Sequence, residues 1–130
     1  MKNRILTLVF LAITAITYAQ TTFSSKSVEL CIWNDKYENF NDCYGSQFDN
    51  SVFVLNENED MLIHKTSEMT STYYITNTES EEDFVTYNAT SDIGNEYIIM
   101  FDIEKRLIKF MGVDEDGTMY LLMYGIKAVF

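Results

Sequence analysis

The sequence predicts an all-β protein with antiparallel strands. Short apolar or alternating runs recur from Ser27 to the C-terminus, and acidic or Gly-containing turns separate them at intervals of about eight to twelve residues. Aromatic residues make up 15% of the chain and Pro is absent, so the chain can build a core and every backbone N–H is available to a sheet. Connections after residue 51 are too short for a helical crossover, which argues against parallel pairing.

The expected architecture is a meander of eight or nine strands. It would close into a barrel of the calycin (lipocalin-like) type or fold into a sandwich. The turn at 114–117 ends in a Gly suited to a short hairpin, and Glu104-Lys105-Arg106 is a tight polar break between two apolar runs. Longer turns are expected at 56–60, 79–83 and 91–95. The expected strands are 26–33, 51–56, 61–66, 71–77, 84–90, 95–103, 106–113 and 118–129.

The last expected strand is apolar on both of its faces. Met119, Leu121 and Met123 share one face, and Tyr120, Leu122, Tyr124 and Ile126 share the other. A strand of this kind must be covered twice, by the far wall of a barrel or second sheet and by a further element or a second chain. A dimer is therefore among the expected assemblies.

Two interpretations of residues 34–50 remain open. Tyr37, Phe40, Tyr44 and Phe48 fall on one stripe of a helix, so one short helix at 36–44 could close a barrel end, as in calycins. Alternatively, Asn34-Asp35 is a two-residue turn and 37–43 is a return strand, which the β-rich surroundings favour slightly.

The two cysteines are tied to this choice. Cys31 and Cys43 in an oxidising compartment suggest a disulfide. A hairpin centred on Asn34-Asp35 would set residue 31 opposite residue 38, which places the two sulfur atoms out of reach, whereas the helix permits the bridge.

The N-terminal segment has the pattern of a secretory signal peptide. Lys2 and Arg4 precede an apolar run from Ile5 to Ile16, and Thr17-Tyr18-Ala19 supplies small residues at a cut before Gln20. The run is too short for a membrane span. We expect residues 1–19 to be removed, residues 20–130 to form one β domain, and the protein to be periplasmic or secreted, without membrane insertion.

The remaining chain is strongly acidic. After removal of residues 1–19 it carries seven basic and twenty acidic side chains, a formal charge of −13. Nucleic acid is excluded as an expected partner because its phosphates would be repelled, and a basic protein would be attracted.

No residue pattern in the sequence indicates a catalytic or metal-binding site. His64 is the only histidine and has no nucleophile or orienting acid beside it in the sequence. The spacing of Asp114, Asp116 and Gly117 fails the EF-hand pattern, so a plain hairpin turn is favoured. We expect no enzyme activity, no metal and no cofactor.

One candidate binding set is aromatic. Trp33, Tyr37, Phe40 and Tyr44 lie where the chain leaves the first strand, and they could line a barrel mouth that takes a small apolar ligand. The more common role of such residues is to plug the barrel end.

Two resemblances are visible. The segments Phe53-Val54-Leu55-Asn56, Ser71–Ile75 and Gly94–Tyr97, together with the cut before Gln20, resemble small exported proteins of unassigned function from Bacteroidota. This resemblance implies a compartment and no activity. The segment Ser91-Asp92-Ile93-Gly94-Asn95-Glu96-Tyr97 is similar to the Ser-x-x-Gly-x-x-Tyr segment of periplasmic C-type lysozyme inhibitors, which are small antiparallel barrels.

The second resemblance implies a partner-binding set of Ser91, Gly94, Asn95 and Tyr97. An acidic exported protein that opposes a basic lysozyme is electrostatically consistent. The expected function is an exported binding or interaction module without enzyme activity, with a periplasmic inhibitor of a basic enzyme and a carrier of a small apolar ligand as the alternatives.

Overall fold

The structure is a computed structural model that describes residues 20–130, which form ten antiparallel strands. The predicted signal peptide, residues 1–19, lies outside the described residues. The strands are β1 (Gln20–Asn34), β2 (Asn39–Cys43), β3 (Gln47–Phe48), β4 (Val52–Asn56), β5 (Met61–Lys65), β6 (Thr70–Ser80), β7 (Phe84–Ser91), β8 (Glu96–Asp102), β9 (Leu107–Val113) and β10 (Met119–Val129). Residues 20–130 contain no helix, and hence none that could cross a membrane.

Eight of these strands close into a barrel. The order β10-β9-β8-β7-β6-β5-β4-β1 is completed by pairing of β10 with β1, and β2 and β3 are extra strands on β1. The all-β antiparallel prediction is confirmed, and the barrel replaces the sandwich alternative. We call the end at which β1 begins the lower end, and the end at which β1 finishes the upper end.

β1 is longer than predicted because it has three successive partners along one edge. Its pairing with β10 shifts register between Ser24 and Ser25 and again between Ser25 and Ser27. Before this bulge β1 pairs with β4, and after it β1 pairs with β3 and then β2. A bulge bends a strand and increases its twist. After it, β1 stays paired with β10, while its other edge passes from β4 to β3 and then β2.

Side chains fill the barrel interior. Alternate residues of each strand point inward, so neighbouring strands contribute at the same level. Phe53 lies at the centre, with its ring centroid 4.9 Å from that of Tyr124 and 5.8 Å from that of Phe110. The buried core consists of Phe53, Leu55, Leu62, Tyr87, Ala89, Ile99, Phe101, Ile108, Phe110, Tyr124 and Ile126.

The alternative of a short helix at 36–44 is absent, and the segment is a hairpin with β2 as the return strand, the interpretation slightly favoured by the β-rich surroundings. Asn34 pairs with Asn39, and the Asn34 Oδ1 atom accepts hydrogen bonds from the backbone N–H groups of Lys36 and Tyr37. Glu38 adopts a positive φ of 52° to complete the turn. Local hydrogen bonds from an Asn side chain favour a turn over the first turn of a helix. The spacing of apolar residues, on which the helix alternative is based, does not include this effect.

The hairpin also contains the disulfide, so the rule that a hairpin forbids the bridge was wrong. The turn spans Asp35–Glu38 instead of Asn34-Asp35, and a register shift lies between Ile32 and Asn34. Cys31 therefore pairs directly with Cys43, with their Cα atoms 4.0 Å apart, and the two are bonded. Such close spacing is that of a cross-strand pair without mutual backbone hydrogen bonds.

The outer face of β10 is apolar, as predicted, but the expected covering element is missing among residues 20–130. Met119, Leu121 and Met123 are half-buried by their neighbours within the same sheet. Across the sheet, Leu121 pairs with Cys31 on one side and Met111 on the other. This face is available to other molecules.

Candidate functional site

Four inward-facing tyrosines occupy the upper part of the barrel: Tyr73, Tyr97, Tyr120 and Tyr124. The rings of Tyr73 and Tyr97 meet edge to face at 5.4 Å, and the Tyr120 hydroxyl donates to the Tyr97 hydroxyl at 3.4 Å. Burial, with a smaller contribution from neighbouring tyrosine and acid groups, raises the pKa of Tyr73 to about 12. Burial likewise raises the pKa values of Tyr120 and Tyr124. These hydroxyls stay protonated at neutral pH.

Gly112 makes room for this layer. A Cβ atom on Gly112 would lie 2.8 Å from the Tyr120 hydroxyl oxygen and 2.9 Å from the Tyr97 Cε1 atom. Because both rings are packed within the barrel, the position requires a residue without a side chain.

A buried polar cluster closes the wall where β1 bulges. The hydroxyls of Ser25 and Ser51 both donate to the Asp49 Oδ2 atom, the Ser51 bond at 2.6 Å. The two hydroxyl oxygens are 3.0 Å apart, and the Ser51 backbone N–H donates to the Ser25 Oγ atom at 2.9 Å. Both serines are buried. The cluster satisfies polar groups that the bulge removes from the regular ladder, which is a structural role.

His64 lies among aromatic rings close to this cluster. Its ring stacks on Phe53 at 4.2 Å, and its Nε2 atom is buried without a hydrogen-bond partner among residues 20–130. Burial lowers the pKa of His64, and the charge of Asp49 opposes this only in part. The hydroxyls of Ser25 and Ser51 bond the carboxylate directly and not the imidazole.

The structure splits the predicted aromatic set into two locations. The ring centroids of Trp33 and Phe40 are 5.1 Å apart, and the Trp33 Nε1–H group donates to the Asp35 Oδ1 atom at 2.9 Å. Tyr37 is exposed on the nearby turn. Tyr44 lies beyond the disulfide, where it lines an apolar groove of about 220 Å³ that also includes Val28, Leu30, Gly45, Gln47 and Leu122. The four residues do not form one barrel mouth.

The segment 91–97 forms the hairpin between β7 and β8. Gly94 has a φ of 92°, and its N–H donates to the Ser91 carbonyl oxygen at 3.0 Å. The buried Ser91 hydroxyl oxygen accepts the Asn95 backbone N–H at 3.0 Å, and Tyr97 points into the barrel. Of the predicted partner-binding set, only Gly94 and Asn95 are therefore exposed, beside the exposed Ile93 at the tip.

The turns at both ends of the barrel are acidic, and at the upper end three adjacent hairpins carry the acidic side chains. They are adjacent because β8 pairs with β9 and β10 pairs with β1. We call them the upper acidic hairpins: β1–β2, β7–β8 and β9–β10. They carry eight carboxylates against one lysine, Lys36: Asp35, Glu38, Asp42, Asp92, Glu96, Asp114, Glu115 and Asp116.

The β9–β10 hairpin is a plain turn, as predicted. The Asp114 Oδ1 atom accepts the backbone N–H groups of Asp116 and Thr118 at 2.9 and 3.0 Å. The carboxylate is thus occupied with its own turn. Across residues 20–130, His, Cys, Asp and Glu side chains form no group of three or more that could hold a metal ion.

A groove of about 420 Å³ lies on the outer face of β7–β10, and we call it the outer groove. Ile98 pairs across the strands with Met111, and Val113 pairs with Met119. Ile98 and Val113 are 43% and 60% exposed. The groove is lined by Thr76, Asn88, Ala89, Thr90, Glu96, Tyr97, Ile98, Met111, Gly112, Val113 and Met119.

Comparison with known proteins gives no relative for this chain: no family model, no curated protein and no solved structure matches it. Function is therefore inferred from the geometry and charge of the chain itself.

Sequence reasoning missed the outer groove. The signal was present, because 97–103 and the last strand are apolar on both faces. Apolar residues on the outer faces of neighbouring paired strands form a continuous surface, but the register that aligns them follows only from the closed sheet.

Proposed function

We propose that this protein is an exported binding module without enzyme activity that captures a basic protein through its upper acidic hairpins. The observation that carries the proposal is the placement of eight carboxylates and one lysine on three adjacent hairpins of a barrel whose interior is filled.

The filled interior supports recognition on the outside. Four strands, β4, β5, β8 and β9, each contribute a fully buried side chain: Phe53, Leu62, Ile99 and Ile108. Small-molecule carriers hold their ligands in concave, largely preformed cavities. The cavities of residues 20–130 that include core-facing side chains measure about 220 and 260 Å³, below the roughly 300–1,000 Å³ of typical ligand pockets, and the groove of about 420 Å³ lies on the outside of the barrel.

The charge supports a basic partner. A formal charge of −13 produces a field that attracts cationic proteins and accelerates their association at low ionic strength. The negative charges of Asp92 and Asp114 make small contributions to the raised pKa values of Tyr73 and Tyr120. Acidic groups therefore border the barrel end as well as the loop tips.

The disulfide supports both export and rigidity. Cys31 and Cys43 fix the hairpin that presents Asp35, Glu38 and Asp42. A bridge between adjacent strands persists in an oxidising compartment, and a rigid hairpin loses less entropy when a partner binds.

The test is binding to two basic proteins, a C-type lysozyme and a cytochrome c, measured by surface plasmon resonance at low and high salt. Replacing one acid on each upper hairpin, as Glu38→Gln, Glu96→Gln and Glu115→Gln together, removes three charges. We expect about a tenfold loss of affinity at low salt and a flatter salt dependence, because each rim charge contributes less than about 1 kcal/mol.

The lower end offers a matched control. Glu57→Gln, Glu81→Gln and Glu82→Gln remove the same charge from the β4–β5 and β6–β7 turns. Binding should stay within about twofold of the unmodified protein, which is below 0.5 kcal/mol. If both triple variants lost the same affinity, net charge alone would explain binding and the upper acidic hairpins would not be the site. Absence of salt-sensitive binding would refute the proposal.

Inhibition of a basic enzyme is a second candidate function. The observation that favours it is the exposed Ile93 at the tip of the hairpin with the Ser-x-x-Gly-x-x-Tyr spacing. If the protein inhibits a C-type lysozyme, Ile93→Ser should weaken inhibition in a cell-wall lysis assay. If the protein bound lysozyme without inhibiting it, inhibition would be refuted and capture of a basic protein would remain the function.

A further inference from the structure

We propose that the outer groove on β7–β10 is the site that holds an apolar segment of the basic partner. The inference rests on the proposed function and deepens it, since it assigns the surface that supplies affinity once the acidic hairpins have attracted the partner.

The floor of the groove is a patch of apolar side chains, of which Ile98 and Val113 are exposed and Met111 and Met119 are half-buried. Cross-strand pairing sets Ile98 beside Met111 and Val113 beside Met119, so all four lie on the outer face of three consecutive strands. A volume of about 420 Å³ is within the range of pockets that hold ligands. Two methionines in the floor allow it to adapt to different side chains.

The walls define the occupant further. Thr76, Asn88 and Thr90 provide a polar side on β6 and β7, and the Thr76 hydroxyl donates to the Asn88 carbonyl oxygen at 3.1 Å. Glu96, at the start of β8, lines the upper end of the groove, and the β9–β10 turn with its three acids lies at the same end of the barrel. A segment with apolar side chains followed by Lys or Arg would match the floor and this end.

Charge complementarity decides among the possible occupants. A second copy of this chain would bring another surface of formal charge −13 to a groove with acids at its end, and an anionic lipid surface would be repelled for the same reason. A basic segment is attracted by those same acids.

The groove is tested by removing its apolar surface while keeping strand propensity. Ile98→Thr and Val113→Thr together retain β-branched side chains at both positions. The matched control is Ile103→Thr with Val129→Thr, the same residue types at the lower end, where they are 64% and 54% exposed. Thermal unfolding should confirm that both double variants fold.

The probe is a synthetic ten-residue peptide in which Leu and Lys alternate, compared with a peptide of alternating Ser and Lys that has the same charge. We expect the Leu/Lys peptide to bind the unmodified protein about tenfold more tightly, a difference of about 1.4 kcal/mol. In methyl NMR spectra, its addition should shift the signals of Ile98, Met111, Val113 and Met119. The groove variant should lose this preference at every salt concentration, and the lower-end variant should keep it.

The outcomes separate this inference from the proposed function. Equal binding of both peptides, or shifts confined to the hairpins, would overturn the groove and leave capture by charge intact. Failure of both peptides and both basic proteins would overturn both. A further outcome is that sedimentation shows the protein to self-associate and the groove variant not to. The occupant of the groove would then be a second copy of this chain, and the proposal of a basic segment would be overturned.

Discussion

Replacing Phe53 by Ala should cost the protein about 4 kcal/mol of unfolding free energy. Phe53 is 0% exposed and contacts His64, Phe110 and Tyr124. Removing a buried Phe ring costs about 3–5 kcal/mol, because it combines lost transfer energy with a cavity that the neighbours cannot fill. A domain of this size has a stability of about 6–17 kcal/mol, so Phe53→Ala should remain folded.

The assay is urea unfolding followed by tryptophan fluorescence and circular dichroism. With a slope of about 2 kcal/mol per molar urea, the midpoint should fall by about 2 M. Phe48→Ala is the matched control, since Phe48 is 85% exposed and should change stability by less than about 0.5 kcal/mol. If Phe53→Ala cost as little as Phe48→Ala, the interior would not be packed, and recognition of a partner on the outer surface would lose its main support.

Three further perturbations test separate parts of the fold. Replacing Cys31 and Cys43 by Ser should lower stability by about 3 kcal/mol, the chain-entropy value for a loop of about 13 residues, and thermal unfolding with and without reductant measures it. Burial lowers the pKa of His64, so the unfolded chain binds its proton more tightly; stability should fall as pH drops below about 6.5, and His64→Phe should remove that part of the acid dependence. A His64→Phe curve that matches the unmodified protein would refute this assignment. Gly112→Ala should cost about 1–3 kcal/mol through its clash with Tyr120, and an unchanged midpoint would show that the ring moves freely.

The sequence was sufficient for most of the barrel because its strands alternate. In β8, Ile99 and Phe101 are buried and Ile98 is exposed, as the face pattern requires. Polar turns such as Asp114–Gly117 fixed the order of the hairpins without any long-range information. Local patterning and turn chemistry together determine which neighbours can pair in a meander.

The first strand and the hairpin after it required information that is not local. Residues 20–25 have no clear alternation, and they form a strand because β4 and β10 pair with them on both sides. The disulfide depends on a turn and a register shift that place Cys31 opposite Cys43. A shift of one residue changes every cross-strand pair, so these features follow from the closed sheet.

The candidate site was only partly predictable for the same reason. The acidic charge and the hairpin tip near Gly94 and Asn95 are visible in the sequence. The inward direction of Tyr97 and the alignment of Ile98 with Met111 follow from register. The proposed contact surface therefore lies next to the predicted segment and extends over the outer sheet.

Native mass spectrometry of the protein purified from its exported form distinguishes capture of basic proteins from transport of a small ligand. We expect the mass of residues 20–130 with one disulfide, no retained small molecule, and complexes with a basic protein that dissociate as salt is raised. A small apolar molecule that stays bound to the folded chain, with no salt-sensitive protein complex, would show instead that the barrel is a ligand carrier.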